Sequence, residues 1–200
     1  DLTPCVHNTR GPIRLCCHGF ARTDHAMLRL IVPHLCVDSV LELGADRLRA
    51  LGVDALLLDV DCTLKSYRSA DVSAEVAAWL EGLRSAGIGL CLVSNGWSRR
   101  IREFAQRVGI PFVAKACKPF PFGCRAAVAK MGFDARRTAM VGDQLFADVV
   151  AARWAGLSSI LVRPIHPEEE PWYTRLKRPL ERVLVRWILA GKRESAQDES

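Results

Sequence analysis

The chain reads as an α/β protein: a three-layer, Rossmann-like, doubly wound parallel sheet. Three observations predict this. From Val53 onward, short apolar runs of strand length alternate with stretches of helical period. Each helical stretch stops at or near a glycine (Gly87, Gly109, Gly132, Gly156). The unusual polar residues stand just past the apolar runs, where open parallel sheets place their ligands, rather than inside them.

Taken in order, Ala55 to Leu58 predicts a buried strand ending at Asp59. Val72, Val76, Leu80 and Leu83 share one helical face, and Gly87 ends that helix. Ile88 to Val93 predicts a second strand ending at Ser94. Ile101, Phe104, Ala105 and Val108 mark a helix closed by Gly109, and Phe112 to Ala114 a short third strand followed by Lys118-Pro119. A helix is expected from about Phe122 to Lys130, and Thr138 to Val141 as a fourth strand running into Gly142-Asp143. Leu145 to Ala155 predicts one helix, and Ser159 to Val162 the fifth strand.

The bulk properties fit one globular domain. Two hundred residues, half of them apolar and a quarter charged, can bury a core without staples. No apolar run approaches the roughly 18–20 residues of a membrane-spanning helix. The net charge of +6 suits anionic partners, whether phosphorylated substrates, anionic lipid or nucleic acid, and equally a solvated basic surface. None of the eight cysteines forms a C-x-x-C pair, so a zinc site is not expected, and Cys91 reads as core. Free thiols in a reducing cytosol are the default.

The termini differ from the centre. Residues 1–26 mix Pro, Gly, His, Arg and Cys without a steady period; they read as a disordered or mistranslated extension, with a short transit peptide as the alternative. The domain is expected over 27–189, with helices at both ends, and a polar disordered tail over 190–200.

Four constellations carry chemistry. In Asp59-Val60-Asp61-Cys62-Thr63, Asp59 can attack phosphorus and Asp61 can protonate the leaving oxygen and later activate water. Ser94 and Asn95, read as opening a fresh helix, can hold phosphate oxygens or act as an N-cap. Lys118 can neutralise both the nucleophile and the transferred group, or be a surface lysine. Gly142-Asp143, with Asp148 five residues on, offers hard oxygen ligands for Mg²⁺, shared with Asp59 and a backbone carbonyl near Asp61. Asp148 can orient this loop or a metal-bound water, or act as an acid stabilising a helix N-terminus. Singly, each spacing has its plainer reading; four in one order, each after its own strand, do not fit that reading.

The D-x-D-x-T loop, the serine after the second strand, the Lys-Pro and the G-D-x-x-x-x-D loop resemble the haloacid dehalogenase superfamily of phosphohydrolases over about Val53 to Val162. The stretch Met27 to Leu35, Gly142 to Leu145, Asp148-Val149, Ile160 to Val162 before Pro164-Ile165, and Thr174, Arg178 and Glu181 are similar to its YqeG-type branch of subfamily IIIA. That branch is similar to the phosphatidylglycerophosphate phosphatases of mitochondria and plastids. The resemblance implies Mg²⁺ and an aspartyl-phosphate intermediate. Two positions depart from the pattern: Cys62 stands where Asn or Gly is usual, which strains the backbone if that position needs a permissive residue, and Gly96 replaces an Asn.

The intervals from Thr63 to Val72 and from Ser94 to Lys118 are too short for a cap, so the site is expected to be open to large substrates. Leu176, Leu180, Val183, Leu184, Trp187 and Ile188 form one helical face beside Arg175, Lys177, Arg178, Arg182 and Arg186; this helix can lie on anionic lipid or pack on the domain. The sequence is therefore read as a Mg²⁺-dependent phosphomonoesterase, cytoplasmic, with peripheral contact to an anionic membrane as a further expectation. It is expected to be a monomer or weak homo-oligomer without nucleic-acid partners. A phosphatase of a small metabolite or protein, and a weakly catalytic scaffold binding RNA or a protein, are the alternatives.

Overall fold

The computed structural model describes residues 30–169, 179, 181 and 183–186. Six parallel strands form one sheet: β1 (Leu35–Val37), β2 (Ala55–Leu58), β3 (Gly89–Val93), β4 (Phe112–Val113), β5 (Thr138–Gly142) and β6 (Ser158–Val162), in the order β1-β6-β5-β2-β3-β4. The helices are α1 (Ala45–Ala50), α2 (Ala74–Ser85), α3 (Ser98–Val108), α4 (Phe122–Met131) and α5 (Val150–Ala155).

The strands are buried on both faces, so they read as unbroken apolar runs, and alternate residues face opposite layers. Leu56, Leu58, Leu90 and Leu92 pack with Val76, Leu80, Leu83, Ile101 and Phe104 from α2 and α3. Leu57, Cys91, Val93 and Met140 face the other way, onto Cys124, Ala127, Ala151 and Ala152 from α4 and α5. Cys91 is fully buried, as its apolar setting predicts. Gly109 ends α3 in the left-handed region, φ 64°, a conformation a glycine adopts without steric penalty.

The chain steps outward from β2 through β3 to β4, then returns to the other side of β2 for β5 and β6. The strand order thus reverses between β2 and β5, and a crevice opens beyond their carboxyl ends. Asp59 follows β2 there, its N–H bonded to the Val141 carbonyl at 2.9 Å, and Asp143 follows β5.

Three expectations need correction. The segment before Val53 is not simply helical: β1 adds a sixth, edge strand, pairing Leu35, Cys36 and Val37 with Ile160, Leu161 and Val162. Three residues are too few for a period, and only the distant β6 makes them a strand. Leu145 to Ala155 is not one regular helix. A wide π turn over Leu145–Val149 precedes α5, because the Asp148 and Val149 N–H groups both reach back to the Gln144 carbonyl. Finally, Ser94 and Asn95 do not open a helix: α3 begins at Ser98, its N-cap is Trp97, and neither residue caps it.

No helix among the described residues is long and apolar enough to cross a membrane. Leu184 and Val185 pack against Leu145, Val149 and Leu161, and buried Glu181 accepts from the Phe146 N–H at 3.0 Å. Of the predicted C-terminal helical face, Leu184 packs on the domain and Val183 is exposed, while its other residues lie outside the described ones. Residues 1–26, the tail over 190–200 and most of the basic C-terminal segment lie outside the described residues.

Candidate active site

Four loops meet at the crevice. Asp59, Lys118, Asp143 and Asp148 are all buried there. The Lys118 ammonium donates to Asp59, to Asp148 Oδ1 at 2.6 Å and to the Val93 carbonyl at 3.0 Å. Carboxylate oxygens of Asp59, Asp143 and Asp148 lie within 4.8 Å of one another. Three carboxylates around one ammonium leave a surplus of negative charge in a buried space. Burial raises the pKa of Asp59 well above the carboxylate range, Lys118 works against this, and Asp148 and Asp143 add to it. Burial disfavours the Lys118 charge, but Asp148 and Asp59 outweigh it and hold the ammonium protonated far above the ordinary lysine range.

Each residue has a local reason for its position. Lys118 precedes a cis peptide to Pro119, and the Asn95 side chain clamps its backbone: Oδ1 accepts from the Lys118 N–H at 2.8 Å and Nδ2 donates to the Lys118 carbonyl at 2.9 Å. Asn95, expected among the phosphate-binding groups, spends both ends of its amide on the lysine loop. Ser94 Oγ accepts from the Gly96 N–H at 3.0 Å, and Ser94 itself is buried at the end of β3. Thr63 Oγ1 donates to Asp143 Oδ1 at 3.1 Å, linking the first and last loops. Asp148 Oδ2 accepts from the Gln144 N–H at 3.0 Å, so this acid shapes the Asp143 loop while holding Lys118. Gly142 makes room for it: a Cβ there would lie 2.5 Å from Asp148 Cβ.

Asp61 lies apart from the acidic group. Its carboxylate receives the Arg100 guanidinium, through Nη1 at 2.9 Å and through Nη2, and Lys65 Nζ at 3.2 Å. Sequence reasoning missed both cations. Lys65 is buried and four residues beyond Asp61. Arg100 comes from the first turn of α3, one arginine among many, and only the packing of α3 singles it out. Cys62 has φ 61°, so the permissive backbone feared for this position is required there. The left-handed region costs a residue with a Cβ about 1–2 kcal/mol, and the Cys62 N–H to Lys65 carbonyl bond, 2.8 Å, and Ile165 N–H to Cys62 carbonyl bond, 2.7 Å, hold it. The loop from Leu64 to Ser73 leads straight into α2, so no cap is inserted there.

The haloacid dehalogenase-like hydrolase family matches residues 21–156, more than half of the chain. The chain belongs to that family. As a haloacid dehalogenase-like hydrolase it is an enzyme, and the loops that carry Asp59, Lys118 and Asp143 stand at the switch point of the sheet. It is 29% identical over 157 residues to the probable phosphatase YqeG of Bacillus subtilis, covering 78% of this chain and 91% of that one. It is 27% identical over 172 residues to the chloroplastic phosphatidylglycerophosphate phosphatase 1 of Chlamydomonas reinhardtii, covering 81% of this chain and 64% of that protein. The chloroplastic/mitochondrial phosphatidylglycerophosphate phosphatase 1 of Arabidopsis thaliana is 25% identical over 174 residues, and the chain spans half of its length.

Proposed function

We propose that this hydrolase cleaves phosphate monoesters through an aspartyl-phosphate on Asp59. The observation that carries this reading is the buried convergence of Asp59, Asp143, Asp148 and Lys118 at the β2–β5 crevice. The donor set is all hard carboxylate oxygen with surplus negative charge, which fits Mg²⁺. Asp59 and Asp143 would hold the ion, because both Asp148 oxygens already accept hydrogen bonds from Lys118 and Gln144. When bound, Mg²⁺ supplies positive charge against the phosphoryl oxygens and the attacking carboxylate.

The remaining work falls to the chain. Lys118 keeps the Asp59 carboxylate aimed and screens it from the incoming anion. Asp59 forms the bond to phosphorus as the bond to the leaving oxygen breaks, and Asp61 gives that oxygen a proton. In the second step water attacks phosphorus, its proton passes to Asp61, and Asp59 is released with inorganic phosphate. Arg100 and Lys65 fix the Asp61 carboxylate, and Thr63 and Ser94 line the space for phosphoryl oxygens. Among the described residues no cap covers the crevice, so exclusion of water is left to the substrate.

The substrate we infer is an amphiphilic phosphomonoester such as phosphatidylglycerophosphate. The relatives' activities support this, and so does a cavity of about 740 Å³ that adjoins Asp143 and is walled by Val37, Leu145, Leu161, Val162 and Pro164. The test is phosphate release from dispersed phosphatidylglycerophosphate beside a soluble aryl phosphate, with and without Mg²⁺, using Asp59→Asn as control. Lipid turnover well above aryl turnover, lost with Asp59→Asn or chelator, is the expected result. Aryl or sugar phosphate turned over better than the lipid would overturn the substrate, and activity surviving Asp59→Asn would overturn the mechanism.

A further inference from the structure

Of the six large hydrophobic side chains exposed among the described residues, four gather on elements flanking the lysine loop: Trp97, Phe122, Phe120 and Trp154, exposed by 79, 65, 51 and 45%. Phe120 stacks on Phe122 and on Trp154, with centroids 6.0 and 6.1 Å apart. Trp97 lies three residues past Ser94, and Phe120 two past Lys118. The two loops are joined by the Lys115 N–H to Gly96 carbonyl bond, 3.3 Å, and the Ala116 N–H to Ser94 carbonyl bond, 3.0 Å. A ligand covering these rings therefore lies against the loops that carry Ser94 and Lys118.

Cations are interleaved with the rings. Lys115 Nζ sits 5.5 Å from the Trp97 ring centroid, and Arg125 donates to the Trp154 carbonyl at 3.0 Å. Between Glu103 and Asp134 the sequence has no carboxylate side chain, while Arg107, Lys115, Lys118, Arg125 and Lys130 all fall there. Protein interfaces bury a core depleted in lysine, although arginine is enriched there. Here each end of the aromatic cluster carries its own cation. Tryptophan, phenylalanine and basic groups side by side suit the headgroup layer of a bilayer, where rings enter the acyl boundary and cations meet lipid phosphates.

We propose that Trp97, Phe120, Phe122 and Trp154, with Lys115 and Arg125, form a docking surface for an anionic lipid bilayer. This surface stands independently of the proposed substrate; with that substrate, it brings the crevice loops to the membrane that carries it. It differs from the C-terminal basic helix, whose described residues Leu184 and Val185 pack on the domain.

The test is sedimentation of the full chain with vesicles containing phosphatidylglycerol in phosphatidylcholine, free of any phosphomonoester lipid, so that binding is read without turnover. The Asp59→Asn protein should bind like the parent, which separates docking from catalysis. Phe120→Ser with Phe122→Ser should lower the vesicle-bound ratio by about tenfold or more. Lys115→Glu with Arg125→Glu should abolish binding, and parent binding should weaken with salt and vanish on pure phosphatidylcholine. Both variants should keep the parent's melting temperature and aryl phosphatase rate. The proposal is overturned if the parent ignores anionic vesicles or the phenylalanine variant binds like the parent. It is also overturned if binding is lost only on charge reversal at Arg175, Lys177 and Arg178, or if the phenylalanine pair instead turns a dimer into a monomer in sedimentation velocity.

Discussion

Replacing Lys118 by methionine removes one charge from a buried cluster and leaves its shape nearly intact. The ammonium is buried and answers Asp59, Asp148 and the Val93 carbonyl at once. Without it, three carboxylates within 4.8 Å of one another lose their cation. Breaking a buried ion pair from one side costs about 3–5 kcal/mol. Lys118→Met should therefore lower unfolding free energy by about 3–5 kcal/mol. Urea titration followed by circular dichroism, with chelator present, measures it. Millimolar Mg²⁺ should restore more stability to the variant than to the parent, and adding Asp148→Asn should recover part of the loss, since coupled neighbours are not additive. A Lys118→Met protein within about 1 kcal/mol of the parent in chelator would refute the view that this lysine neutralises the cluster.

Arg100→Ala should lower kcat by about ten- to a hundredfold, with stability nearly unchanged, because Asp61 loses its bidentate partner. Arg100→Lys should rescue only weakly, since one ammonium cannot reproduce the fork, and steady-state kinetics on an aryl phosphate decide it. Gly142→Ala places a Cβ against the Asp148 side chain, so it should cost about 1–3 kcal/mol and most of the activity, read by thermal melting and phosphate release. Burial pushes the Cys91 thiol up to about 11 and the Cys124 thiol likewise to about 11. A pKa raised in the folded state contributes stability that is present below the ordinary thiol value and fades as pH climbs through the folded one. The parent should therefore lose about 1.4 kcal/mol per pH unit for each such thiol between pH 9 and pH 11. Cys91→Ala should flatten that decline by about one thiol's share, and equal slopes in parallel urea titrations would contradict it.

The alternation of apolar runs and helical faces was legible because parallel strands buried on both sides need unbroken apolar stretches, and that need is local to each segment. The candidate site residues were legible for a related reason. A group that must stand past a strand end appears as a polar residue breaking an apolar run, as Asp59, Ser94 and Asp143 do. Edge strand β1 was not legible, because three residues carry no period and pair only with a strand 125 positions away, as His34 does with Ser159. Arg100 and Lys65 were hidden among many basic residues, and Asn95 looked like a ligand group until its amide was found clamping the Lys118 backbone. The exposed rings of Phe120 and Trp154 meet only because α4 and α5 pack side by side.

Sequence alone determined the class of fold, the order along the chain of five of the six strands and the identities of the groups available for chemistry, because periodicity and residue type are properties of short segments. Tertiary structure decided which of those groups touch. It set Lys118 between Asp59 and Asp148, paired Asp61 with Arg100, and opened the crevice between β2 and β5. Coulomb forces and hydrogen bonds act over a few ångströms, and separation along the chain says little about separation in space.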